Sequence, residues 1–174
     1  KAPECMIIWG YNIHGTCPDN LFGHWIIDLM KKGTKLIVID PRLSWFASRS
    51  NHWLQIRPGT DSALAMGFLN VIINEDLYDR HFLKKWTNGT HLIRKDTNKL
   101  LRECDIIEDG SFGNFVVWDQ SQKKAVIWES GEACYRGICK DPMASGECTV
   151  KLADGTEISC ITAWDVYVDE VNKY

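Results

Sequence analysis

Two stretches decide the fold: Met6-Ile7-Ile8-Trp9-Gly10 and Lys35-Leu36-Ile37-Val38-Ile39-Asp40-Pro41. Met6–Trp9 and Leu36–Ile39 within them are apolar at every position and then stop abruptly, which suits a strand buried on both faces rather than a half-exposed one. Between them Leu21, Trp25 and Leu29 recur at helical spacing, and Phe22, Ile26 and Met30 follow one step behind, so a helix with one broad apolar face is predicted. Asp19 or Asn20 can cap its start. Lys31 and Lys32 suit the negative end of its dipole, and Gly33 can turn left-handed beyond it. Strand, helix and strand in so short a span make a parallel pair with a crossover helix.

Working outward, Trp53-Leu54-Gln55-Ile56 reads as a third strand, ended by Arg57-Pro58-Gly59. Thr60 or Asp61 then caps a helix carrying Leu64, Phe68, Leu69, Val71 and Ile72, and a further helix is predicted from Asp79 to about Trp86. Beyond it the period shortens. Phe115–Trp118, Ala125–Trp128, Thr149–Leu152 and Glu157–Cys160 read as strands, with Asp154-Gly155 as a hairpin signal between the last two. Residues 130–147 read as irregular loop, and Ala163–Lys173 as a closing helix. The fold class is therefore α/β: a Rossmann-like parallel sheet with flanking helices, plus a β-hairpin insertion in the C-terminal half. A single domain over 1–174 is expected, with a core part at 1–89, the insertion at 90–160 and the closing helix at 161–174.

Composition narrows the partners. A net charge of −3 argues against a polyanion-binding surface, since nucleic-acid binders gather Lys and Arg on one face. The apolar runs fall far short of the ~20 residues of a membrane span, so no direct membrane insertion is expected. Seven cysteines, at 5, 17, 104, 134, 139, 148 and 160, form no Cys-x-x-Cys pair and have no histidine at zinc-finger spacing. They read as mostly buried free thiols, and no metal site or iron–sulfur cluster is written within the chain. Eight tryptophans divide between ordinary core and contact surface.

In an open parallel sheet, ligands bind at the carboxyl edge of the strands. Three loops reach it: Trp9 to Thr16, Asp40 to Ser44, and Pro58 to Asp61. Gly10 and Gly15 precede a helix N-terminus, so backbone N–H groups there can meet a diphosphate, although Gly-x-Gly-x-x-Gly is missing. Asp40 can accept ribose hydroxyls, Arg42 offers a planar fork for phosphate, and Asp61 can accept two hydrogen bonds from a guanine edge. Each has a structural reading beside it: Asp-Pro starts turns, Asp61 caps helices, and Gly10 relieves a tight strand exit. His14 and His24 are isolated in the sequence and read as solvent-facing or packing side chains. Lys84-Lys85 and Lys123-Lys124 read as solvated surface. No Ser–His–Asp or Cys–His arrangement stands out, so no residue is assigned a catalytic role.

The ordered set Trp-Gly-x-Asn at 9–12, Lys-Leu-Ile-Val-Ile-Asp-Pro-Arg at 35–42, Arg-Pro-Gly-Thr-Asp-Ser-Ala-Leu-Ala at 57–65 and Leu-Tyr-Asp-Arg-His-Phe at 77–82 resembles the molybdopterin oxidoreductase, or dimethyl sulfoxide reductase, superfamily. The resemblance runs to about Gly89 and resumes at Cys148 with a Thr-Val-x-x-Ala-Asp-Gly-x-Glu hairpin; Ile13 stands where the family has proline. It implies an anaerobic enzyme in which this region binds the guanosine diphosphate end of one molybdopterin guanine dinucleotide carrying molybdenum or tungsten. By position, Trp9, Gly10, Asn12, His14, Gly15 and Thr16 lie along the diphosphate. Asp40, Arg42 and Ser44 meet the guanosine end, with Gly59, Thr60 and Asp61 beside the guanine. The resemblance places the metal's protein ligand, any [4Fe–4S] centre and a second dinucleotide-binding domain outside these residues, and it implies as partners the remaining domains of the parent enzyme and an iron–sulfur electron-transfer subunit. Two other readings stay open: a stand-alone nucleotide-dependent enzyme, and a domain that has lost its ligand and serves as an interaction surface.

Overall fold

The computed structural model describes residues 1–16 and 21–173, in two compact units, Lys1–Ala65 and Met66–Tyr174. The first unit begins with β1 (Cys5–Trp9), a single helical turn α1 (Ile13–Thr16), α2 (Leu21–Lys31), β2 (Lys35–Ile39), a 3-10 turn at Ala47–Arg49 and β3 (His52–Leu54). β1 and β2 pair in parallel from Cys5 with Lys35 to Trp9 with Ile39, and β3 joins β2 in parallel from Ile37 with His52 to Ile39 with Leu54. The order β1-β2-β3 therefore sets all three carboxyl ends on one edge. Leu36, Val38 and Ile39 are almost wholly buried, as the unbroken apolar run requires, and Ile8, Ile13, Ile26 and Phe46 pack with them. The third strand stops at Leu54, short of the predicted Ile56.

α2 ends as its sequence dictates. Gly33 has φ +93°, its N–H bonds the Met30 carbonyl at 3.0 Å, and the Thr34 N–H bonds Leu29 at 3.1 Å, the paired bonds of a Schellman motif. Its predicted broad apolar face is only half used. Gly23 and Ile26 are buried, whereas Leu21, Phe22 and Trp25 stand exposed at 66%, 66% and 55%. The capping assignment to Asp19 or Asn20 lies outside the described residues.

α3 (Asp61–Asn74) runs from the first unit into the second. The second unit continues with α4 (Arg80–Trp86), whose N-cap Asp79 accepts from the His81 and Phe82 amides at 2.8 and 3.0 Å. Then come β4 (Leu92–Arg94), the short α5 (Glu103–Ile106), β5 (Phe115–Asp119), β6 (Lys124–Glu129), β7 (Cys134–Tyr135), β8 (Glu147–Lys151), β9 (Glu157–Thr162) and α6 (Ala163–Val171). The anticipated hairpin insertion is thus two three-stranded antiparallel sheets, β4-β9-β8 and β5-β6-β7. The Asp154-Gly155 hairpin forms as predicted: Gly155 has φ +87° and the Asp154 carboxylate accepts from Thr156 N–H at 2.8 Å. β4 and α5 had no sequence signal, being too short to display a period. β7 replaces part of the irregular loop predicted at 130–147, because Trp128 pairs with Tyr135 and Glu129 with Cys134.

Leu92, Leu101, Val116, Ile127, Met143, Val150, Ile158 and Cys160 form the core of this unit. Buried polar groups are satisfied in place. Asp119, with no solvent exposure, accepts from the Ser121 hydroxyl at 2.6 Å, the Lys140 amide at 2.8 Å and the Gln122 side chain at 2.8 Å, and these bonds hold its carboxyl below the usual range. Glu103 is paired with Arg136 and accepts from Asn114 Nδ2 at 2.7 Å, so its carboxyl is also lowered. The view of the cysteines needs correction: all six described are free thiols, but only Cys160 is buried, while Cys5, Cys104 and Cys134 are exposed. Lys84 is likewise no free surface charge, since it bonds Asp141 at 2.6 Å and is half-buried. Among the described residues no helix is long and apolar enough to cross a membrane.

Two stability predictions follow from this packing. A methyl group at Gly110 would lie 2.8 Å from the Glu103 backbone, which cannot move aside like a flexible side chain. Gly110→Ala should therefore destabilise the protein by about 1–3 kcal/mol in urea unfolding, and an unchanged midpoint would contradict the packing described. His91, 8% exposed and stacked on Phe115 at 4.6 Å, has its pKa lowered from 6.5 to about 4, chiefly by burial and then by the charge of Arg102. The unfolded chain therefore binds the proton first. Stability should fall as pH drops through the window from 6.5 to about 4, by up to about 3 kcal/mol, and His91→Phe should flatten that slope.

Candidate functional site

Because β1, β2 and β3 are parallel, residues 10–16, 40–44 and 55–61 leave the sheet at the same edge. One hydrogen bond ties the outer two loops together: Trp9 Nε1 donates to Asp61 Oδ1 at 2.6 Å, joining the end of β1 to the first residue of α3. The other carboxylate oxygen of Asp61 takes no hydrogen bond among the described residues. Asp61 thus sits at the positive end of a fourteen-residue helix with one oxygen oriented and one open. Thr60 takes the expected N-cap position, its carbonyl accepting from the Leu64 amide at 3.2 Å, but among the described residues neither candidate's side chain bonds an amide of the first turn. Thr60 turns its hydroxyl back to the Arg57 carbonyl at 2.7 Å, and Asp61 is engaged by Trp9.

The first loop is compact. Gly10 has φ +61° and donates to the Ile39 carbonyl at 2.8 Å, continuing the sheet by one bond after the strand ends. From Asn12 the chain closes a single turn, with the Thr16 amide and hydroxyl both bonding the Asn12 carbonyl at 3.2 and 2.9 Å. A methyl group at Gly15 would lie 2.4 Å from Asn12 Nδ2, so the Asn12 side chain lies against Gly15. His14 is not isolated. Its ring stacks on Phe46 at 5.0 Å with the planes nearly parallel, and it meets Trp45 edge-on at 4.8 Å. Packing, visible only once residue 46 folds back over the loop, defines that side chain.

In the second loop Asp40 is buried and its Oδ1 accepts from the Arg42 amide at 2.7 Å, an Asx turn. Its carbonyl accepts from Trp53 Nε1 at 2.9 Å, and its N–H reaches Leu54 at 3.3 Å. Ser44 Oγ accepts from the Ala47 amide at 3.2 Å, starting the 3-10 turn. Asp40 Oδ1 and Ser44 Oγ are thus engaged within the loop, whereas the exposed guanidinium of Arg42 has no partner among the described residues. Arg57, at the third loop, is exposed and unpaired in the same sense. Sequence reasoning passed over Arg57, although it opens the Arg-Pro-Gly-Thr-Asp segment; its signal was its place before the loop's glycine. Gly59 has φ +84° with nothing within 4 Å of where a methyl group would stand, and the same openness holds at Gly10.

This edge offers exposed backbone at two left-handed glycines, two guanidinium groups without a partner among the described residues and one oriented carboxylate, a donor and acceptor set suited to a nucleoside diphosphate. Residues 2–160 match the family model described as molybdopterin oxidoreductase. The chain belongs to the molybdopterin oxidoreductase family. It is 40% identical over 123 residues to perchlorate reductase subunit alpha of Dechloromonas aromatica, covering 70% of this chain and 13% of that protein. Against respiratory nitrate reductase subunit alpha of Haloferax mediterranei the identity is 37%, covering 98% of this chain and 18% of the relative. The solved structure of acetylene hydratase from Pelobacter acetylenicus matches 48% of this chain and 11% of its own, at 41% identity and a TM-score of 0.43. The family member described here thus spans less than a fifth of the length of these relatives.

A side-chain group outside this edge also has metal-ligand chemistry. Glu129, Glu132 and Cys134 bring ligand atoms within 4.8 Å of one another, but Glu129 is already bonded to Arg136. The paired carboxylate is neutralised where it stands.

Within the fold, the glycines at the edge answer a conformational need, since both hold left-handed backbone and neither packs against a neighbour. Gly10→Ala and Gly59→Ala should each cost about 1 kcal/mol of unfolding free energy, the penalty of a left-handed non-glycine residue, because the added methyl meets no atom. A cost several times larger in urea unfolding would show that packing, not backbone, fixes these positions.

Proposed function

We propose that the carboxyl edge of the parallel sheet holds the guanosine diphosphate end of a molybdopterin guanine dinucleotide, within a molybdenum or tungsten oxidoreductase whose chemistry takes place at the metal rather than on this chain. The observation that carries this reading is the Asp61 carboxylate, oriented through Oδ1 by Trp9 and with no hydrogen bond on its other oxygen among the described residues. Two neighbouring N–H groups on a guanine edge match a carboxylate of this kind, and an ionised acceptor strengthens both bonds. Arg42 and Arg57 supply free planar cations for the diphosphate, and the bare backbone at Gly10 and Gly59 lets it approach closely.

When bound, the cofactor supplies metal-centred redox chemistry; the chain's residues bind its tail, fix its direction and contribute no proton or nucleophile. Asp40 acts indirectly in this scheme. Its buried carboxylate fixes the Arg42 backbone, and so sets where the Arg42 side chain leaves the loop. Leu21, Phe22 and Trp25, exposed on α2, are apolar area of the kind that meets another domain, and we assign them to contact with the remaining domains of the parent protein. An iron–sulfur subunit is the redox partner this reading calls for.

The test is metal and pterin-guanine-dinucleotide content of the full-length protein. Asp61→Ala should lower cofactor retention about tenfold, the loss that a charged hydrogen-bonding partner entails. Asp61→Asn keeps an acceptor for Trp9 but presents an N–H donor toward the guanine, so it should fall nearly as far, with an unchanged circular dichroism spectrum. Undiminished metal and dinucleotide in both variants would refute the assignment of the guanine end to this edge.

A further inference from the structure

The second unit holds a cavity of about 930 Å³ that the sequence motifs leave unassigned. Its volume lies in the range of small-molecule sites. One wall is aromatic. Trp128 on β6 and Tyr135 on β7 meet edge-on at 4.8 Å, and the His91 ring lies 6.4 Å from Trp128. Trp86, at the end of α4, is 66% exposed and lines the opening. His91 is the most buried titratable group there. It is more than nine-tenths buried, stacked on Phe115, and its ring makes no hydrogen bond among the described residues.

The charge of the lining is one-sided. Lys84, Lys85 and Lys140 face a single acidic side chain, Asp141, and that carboxylate is taken by Lys84 at 2.6 Å. Lys85 Nζ lies 5.3 Å over the Trp86 ring, and the Lys140 ammonium has no partner among the described residues. A hydrocarbon would bury against the rings but leave these cations uncompensated. An inorganic anion would satisfy the cations but leave the rings in water. A flat π-system carrying a negative group satisfies both.

We propose that this cavity is a binding site for a planar aromatic anion, with its ring against Trp128 and Tyr135, an in-plane polar atom facing His91, and its anionic group between Lys85 and Lys140. The aryl carboxylates and the purine nucleotides share that chemistry. All of its lining residues belong to the second unit, and its occupancy does not depend on the cofactor assignment at the sheet edge.

Calorimetric titration of the intact protein with 2-naphthoate, adenosine monophosphate, neutral 2-naphthol and inorganic phosphate tests the proposal. At least one of the two aromatic anions should bind more tightly than both 2-naphthol and phosphate, and which of them does so identifies the source of the ring. A Lys85→Ala, Lys140→Ala double variant should weaken that anion about tenfold and leave 2-naphthol unchanged. Trp128→Leu should weaken both ring compounds. If that variant fails to fold, Trp86→Ala, at an exposed position, makes the same comparison. Saturation by neither anion up to about 5 mM, or binding of 2-naphthol as tight as 2-naphthoate, would overturn it.

Discussion

Parallel pairing of Cys5–Trp9 with Lys35–Ile39 constrains the first unit more than any other feature. Parallel strands cannot be joined by a tight turn, so the chain must cross over, and α2 is that crossover. The crossover in turn places the exits of β1 and β2 on one edge, and β3 adds a third in the same direction. At that edge every strand ends with backbone groups that lack a sheet partner. Gly10 uses one of them to bond Ile39, and Asp40 uses another to reach Leu54. What is left at the edge is a set of short, rigid exits from which side chains can be aimed.

Rigidity there comes from polar groups that bond their own loops. Asp40 shows the division of labour. Its carboxylate is buried and engaged by the Arg42 amide, so it fixes the loop while the neighbouring guanidinium has no partner among the described residues. Asp61 also has one oxygen engaged, by Trp9, but unlike Asp40 it is exposed. Two aspartates at the same sheet edge thus differ in what they can offer a ligand, and burial decides which is which. The second unit follows the same economy, with Asp119 and Glu103 buried but fully bonded, so its cores are built around satisfied polar knots as well as apolar contacts.

The elements that were legible in the sequence are those whose hydrophobic pattern is long enough to show a period. Leu36–Ile39, the α2 repeat, Asp79 before α4 and the Asp154-Gly155 hairpin each carry a local physical signal that tertiary structure did not override. β4 and β7 span three residues or fewer and form because partner strands reach them, and α5 is a single turn held by the Asp105 carboxylate on the Arg102 amide, too short to show a period. The site shows the same split. Gly10, Gly59, Asp40 and Asp61 could be named from strand exits and motif order, whereas the Trp9–Asp61 bond and the stacking of His14 on Phe46 depend on side chains far apart in the chain. The apolar pattern of α2 misled in one respect, because periodicity reports what a helix can bury and not whether a partner is present to bury it; Leu21, Phe22 and Trp25 remain exposed.

Exposure of that kind has to be weighed against the distribution of tryptophan. None of the eight is fully buried: Trp25, Trp45 and Trp86 are exposed and the other five are half-buried. An indole left half in water is costly as core but useful as a surface that is apolar on its faces and can donate one hydrogen bond at its edge. Trp9 and Trp53 use that donor within the fold, to Asp61 and to the Asp40 carbonyl, and so spend their polar edge on holding the loops at the sheet edge. Trp86 and Trp128 make no such bond among the described residues, and both line the cavity of the second unit. The two pairs are chemically identical and are distinguished only by whether a carbonyl or carboxylate lies within reach. Where one does, tryptophan acts as a strut; where none does, its ring and its N–H remain available to a ligand.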